Sequence, residues 1–85
     1  MGYNPKLSKS ADKYLTKQTA DNQLRIADAI QNLPAGNVRK LQGRRGYRLV
    51  VSDFRILFDY TGKYDENGKE IIDIQKIGAR GDVYK

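Results

Sequence analysis

The sequence contains no cysteine, no histidine and no tryptophan. Without cysteine there is neither a disulfide framework nor a thiolate metal site. Without histidine the commonest acid/base group near neutral pH is missing, and so is the commonest metal ligand. A Ser/His or Cys/His nucleophile arrangement is excluded for the same reason. The 10 acidic residues are scattered and show no metal-ligand spacing, so no metal or other cofactor is expected. No apolar run approaches the roughly 18–20 residues of a membrane-crossing helix. Met1 to Lys9 has no hydrophobic signal core. A cytoplasmic protein with no membrane partner is therefore expected.

What the chain does have is positive charge. Its 85 residues carry 16 Lys and Arg against 10 Asp and Glu, a formal net charge of +6. Such an excess points to a polyanionic partner, either nucleic acid or an acidic protein. The length allows one domain, residues 1–85, because a second core would lack apolar material.

The apolar pattern changes character near residue 38. Before it, Ser8 is placed to cap a helix in which Leu7, Ala11, Tyr14 and Leu15 recur at helical spacing. A second capping signal lies around Thr19 to Asp21. Ala20, Leu24, Ile26, Ala27 and Ile30 follow as an apolar stripe, and Pro34 and Gly36 end it. Residues 2–6 could add a first strand around Tyr3, but only an edge strand, because Pro5 cannot donate to a ladder. After residue 38 the signals are those of strands: Val38 to Leu41, Tyr47 to Val51, Phe54 to Tyr60 and Glu70 to Ile77. Asn67-Gly68 marks a turn before the last of these. The fold class is α+β: an N-terminal helical hairpin packed on a small twisted antiparallel sheet.

The middle ribbon makes the sharpest expectation. If Ser52-Asp53 is a two-residue turn, Val51 faces Phe54, Leu49 faces Ile56 and Tyr47 faces Phe58. All six side chains then share the core face, and a one-residue slip would scramble them. The other face shows Arg48, Val50, Arg55 and Leu57. Arg48 and Arg55 become diagonal neighbours, roughly 7–8 Å apart at the backbone. Two planar guanidinium forks at that spacing can grip one phosphate or two adjacent ones. The plainer reading makes them a solvated outer face, paired with Asp59 or Asp73. Lys40, Arg44, Arg45 and Lys76 lie around the ribbon and join Arg48 and Arg55 as candidate RNA contacts. Arg80 and Tyr84 follow the last strand and could fold over the sheet. A tyrosine among arginines should have a depressed pKa and could serve as a general base toward a ribose 2′-hydroxyl, or stack on a base. The alternative is a packed or frayed terminal aromatic.

The run K-L-Q-G-R-R-G-Y-R-L-V-V-S-D-F-R-I-L-F-D-Y (Lys40 to Tyr60), followed by I-G-A-R-G-D-V-Y (Ile77 to Tyr84), resembles the RelE branch of the RelE/ParE toxins. The resemblance covers most of the chain and is weakest over residues 1–7. It implies the RelE-like fold, a cognate antitoxin that wraps the toxin and blocks its site, and metal-independent cleavage of mRNA in the ribosomal A site. The implied chemistry is attack of a 2′-hydroxyl on the adjacent phosphate, leaving a 2′,3′-cyclic phosphate and a 5′-hydroxyl. Carried over position by position, it implies catalytic roles for Arg48, Arg55, Arg80 and Tyr84.

Two positions depart from the family pattern. Val50 replaces a second basic residue of the ribbon, and Ala79 replaces the polar residue before the closing arginine. Arginine stays protonated in proteins and is a poor proton shuttle, so Tyr84 is left as the base and no general acid stands out. A slow nuclease, or one that relies on the ribosome to position its substrate, is expected. Two other classes stay open: a ParE-like toxin that poisons DNA gyrase without any nuclease chemistry, and a basic domain that binds RNA or protein without toxicity.

Overall fold

In a computed structural model, residues 2–81 are described. The chain opens with strand β1 (Tyr3–Leu7), followed by helices α1 (Lys9–Thr16) and α2 (Ala20–Gln31) and strands β2 (Asn37–Lys40), β3 (Tyr47–Val51), β4 (Phe54–Tyr64) and β5 (Glu70–Ala79). The five strands form one sheet in the order β1-β5-β4-β3-β2.

Two expectations need correcting. The helices do not come first, and the sheet is mixed, because β1 runs parallel to β5 with Tyr3 opposite Glu70 and Leu7 opposite Ile74. The antiparallel reading missed this because a weak five-residue segment shows its direction only through its partner, and the partner lies about 70 residues on. Pro5 is tolerated because β1 is an edge strand with a free outer side.

Both helix starts follow the capping signals. The Ser8 side chain accepts from Ala11 N and the Thr19 side chain accepts from Asn22 N, each satisfying one orphan donor of a first turn. The helices lie on one side of the sheet, with α1 chiefly over β5 and α2 reaching β1 and β3. Ala11, Ile26, Ile30 and Leu33 meet Leu49, Val51, Ile56, Phe58, Ile72, Ile74 and Ile77 in a common core. Leu24, expected inside, is 71% exposed. The apolar residues of α2 form two stripes on nearly opposite sides, and only the one through Ile26 and Ile30 can face the sheet.

The ribbon register is as the alternation requires: Val51 pairs with Phe54, Val50 with Arg55, Leu49 with Ile56, Arg48 with Leu57 and Tyr47 with Phe58. The two-residue turn is made possible by Ser52, which takes a φ of 54°. Beyond it, β4 extends to Tyr64, past the expected end at Tyr60, and a bulge lies between Leu57 and Phe58. No described helix is long and apolar enough to cross a membrane.

Candidate nucleic-acid interface

The face of the sheet turned away from the helices is organised in rows that cross the strands. One row reads Lys76 on β5, Leu57 on β4, Arg48 on β3 and Arg39 on β2, each pair being register partners. Three cationic residues thus lie in line around one apolar residue. Leu57 is 2% exposed yet stands apart from the core cluster between sheet and helices. It is the apolar floor of the basic face.

The neighbouring row, toward the Ser52-Asp53 turn, reads Gly78, Arg55, Val50 and Asn37. Arg48 and Arg55 are therefore diagonal neighbours on this face. Their side chains behave differently. Nη1 of Arg55 donates to the carbonyls of Ser52 at 3.1 Å and Phe54 at 2.9 Å, which turns its guanidinium toward the hairpin end. Arg80 meets the same end, its backbone N–H donating to the carbonyl of Asp53 at 2.8 Å. Arg55 and Arg80 thus converge on the turn, and Arg48 lies one row further in.

In the opposite direction the charge changes sign. Asp59 and Asp73 are cross-strand partners, a like-charge pairing that is unfavourable by itself. Arg45 answers it, with Nε 3.1 Å from Asp59 Oδ2. Asp59 is thus tied to Arg45 rather than to Arg48 or Arg55.

The remaining candidates fall as follows. Arg44 is exposed on the Gly43–Gly46 loop. Lys76 is in the Arg48 row. Lys40 is opposite Tyr47 and so has the helix-side orientation at the edge of the sheet. Tyr84 lies outside the described residues. Arg39, which sequence reasoning left out, occupies the place beside Arg48 that Lys40 does not. The signal was available: once Val38 faces the core, alternation sends Lys40 to its side and Arg39 to the other. Among the described residues no group of three or more metal-ligating side chains occurs.

No family model matches the sequence. No curated protein matches it either. Among solved structures, the chain is similar to one from the crystal structure of the archaeal RelE-RelB complex of Pyrococcus horikoshii OT3. The identity is 25%, the TM-score is 0.66, and the match covers 98% of this chain and 100% of that one. This likeness over nearly the whole chain supports the RelE-like toxin superfamily. In this RelE-like protein the basic rows sit on the side of the sheet that the helices leave open.

Among the described residues, the two positions that depart from the family pattern bring no proton-transfer group. Val50 stands cross-strand from Arg55, and Ala79 is opposite Phe54 on the core side. Among the described tyrosines, the one with a shifted pKa is elsewhere. Tyr60 lies 5.2 Å from Tyr47 and 5.9 Å from Tyr3, ring centre to ring centre, on the helix side. Burial first, then the neighbouring Tyr3, Tyr47 and Glu70, raise its pKa. A raised value makes it a worse base, and its place on the far side of the sheet removes it from the arginines.

Proposed function

We propose that this RelE-like protein is the toxin of a toxin–antitoxin pair and cleaves mRNA on the ribosome by attack of a ribose 2′-hydroxyl on the adjacent phosphate. One observation carries the reading: in a chain with the RelE-like fold, Arg48, Arg55 and Lys76 share the open face of the sheet, with Arg80 at its turn end. Guanidinium groups fixed on strands can hold a phosphodiester and offset the charge that builds on its oxygens during attack, usually the largest part of such catalysis. Tyr84 is proposed as the base that takes the 2′-hydroxyl proton. The sequence offers no obvious general acid to complement it, so positioning by the ribosome supplies much of the rate. The solved relative is a RelE-RelB complex. A cognate antitoxin is proposed here as well, with an acidic or amphipathic segment suited to the basic face.

Primer extension on a message translated in a reconstituted system tests this. New 5′ ends are expected with the wild-type protein, falling about 100-fold or more with Arg48→Ala, the size of effect seen when one charge-stabilising donor is lost. Absence of cleavage by folded wild-type protein overturns the reading. One observation favours a second: Val50, beside Arg55, brings no group able to transfer a proton. A toxin acting on DNA gyrase needs none, and inhibition of supercoiling without RNA cleavage would select it.

A further inference from the structure

Where β2 ends, the chain makes a loop before returning as β3, and the two enclose an open cleft of about 620 Å³. Its wall is built by Arg39, Lys40, Gln42, Arg44 and Arg48, with Val38 and Leu41 as its apolar part. Four of the seven residues are cationic and none is acidic. The loop that forms one side is closed by a hydrogen bond from Leu41 N to Gly46 O of 3.0 Å. Gly43 and Gly46 carry it with φ of 71° and 114°, a conformation open to glycine at little cost. Arg44 is thereby held over the cleft while Arg45 turns away to Asp59. No described carboxylate pairs with Arg39, Lys40 or Arg44. Such a gathering of like charge repels itself and is compensated by a bound polyanion.

The cleft also continues the Arg48 row. Arg39 is the cross-strand partner of Arg48, so the row and the cleft form one basic path to the β2 edge. Four strands at about 4.8 Å separation make that path roughly 14 Å long, enough for more than one phosphate of an extended single strand. On the other side Asp59 and Asp73 close the face to a polyanion.

We propose that this cleft is a second phosphate subsite, in which Arg39 and Arg44 hold the backbone of single-stranded RNA next to the phosphate gripped at Arg48, so that the strand leaves the protein over β2. This rests on the RNA reading given above and adds a direction and a footprint to it. Arg39 is a positioning residue here and takes no part in bond breaking.

Fluorescence anisotropy with a short labelled single-stranded RNA tests it, titrated at several salt concentrations for wild type, Arg39→Gln, Arg55→Ala and Lys13→Gln. Lys13 is exposed on α1, far from the open face of the sheet, and its replacement removes the same charge. Each lost contact lowers the slope of log K against log salt by about 0.7 for single strands. The expected result is a drop of that size for both Arg39→Gln and Arg55→Ala and none for Lys13→Gln. On an RNA shortened to the nucleotides over Arg48, Arg39→Gln should bind as wild type does. A normal slope for Arg39→Gln beside a reduced one for Arg55→Ala overturns the subsite and leaves the RNA reading standing. Normal slopes for both overturn the two together. Equal drops for Arg39→Gln and Lys13→Gln would reduce the effect to net charge and remove the subsite. Thermal melts of each variant confirm that folded protein is compared.

Discussion

Asp65 shows how one side chain fixes a loop. Its carboxylate accepts from the backbone N–H of Lys69 and Asn67, both at 2.9 Å, and from Asn4 Nδ2 at 3.0 Å. These bonds favour the charged form, the Lys69 amide most, and hold its pKa below the ordinary value against the opposing pull of desolvation. A depressed carboxyl pKa stabilises the fold above the unfolded-state value near 4, and that contribution fades as pH falls through the lower folded value. Thermal melts between pH 6 and pH 2 should therefore show a smaller acid-induced fall in Tm for Asp65→Asn than for wild type. The variant should also start lower at pH 6, because the Asn amide offers one acceptor oxygen where the carboxylate has two. Parallel pH profiles for the two proteins would remove Asp65 from this role.

The helix α2 was only half legible in its own sequence. Its cap and its end were signalled by Thr19 and Pro34, but two apolar stripes competed for the core. The sheet chose between them: Ile26 is fully buried while Leu24 is 71% exposed. Leu24→Lys should therefore change stability by less than about 0.5 kcal/mol, the usual range of a surface substitution. Ile26→Ala should cost about 2–5 kcal/mol through lost burial and the cavity left behind. Urea denaturation of the two variants measures both, and equal costs would mean that the helix is turned differently. In the ribbon no such choice existed. Leu49, Val51, Ile56 and Phe58 admit only one register, and Arg48 and Arg55 follow from it with no further information. The same logic, extended from Val38 to β2, gives Arg39.

At the scale of the whole molecule, the net charge of +6 matters less than its distribution. The open face of the sheet is basic across the Arg48 and Arg55 rows and acidic at Asp59 and Asp73, where Arg45 is engaged. Asp59→Asn releases Arg45 and weakens the acidic patch. On the RNA reading it should tighten single-stranded RNA binding and steepen its salt slope by about 0.7, one added contact. Stability should change little, since an ion pair this exposed contributes roughly 0–1 kcal/mol. An unchanged or weaker affinity would show that Arg45 and Asp59 lie outside the bound strand's path.

The sequence by itself determined the two helix caps, the ribbon register and the outward placement of Arg48 and Arg55, because capping and strand alternation act between residues close along the chain. Only the tertiary structure decided that β1 pairs parallel with β5, that Leu24 faces out, that Asp59 engages Arg45, and that Arg39 and Arg44 meet at one cleft. The first three depend on which distant segment arrives as neighbour, and the last on how the Gly43–Gly46 loop closes between β2 and β3. Local propensity does not carry that information; the competition among apolar faces for a single core does.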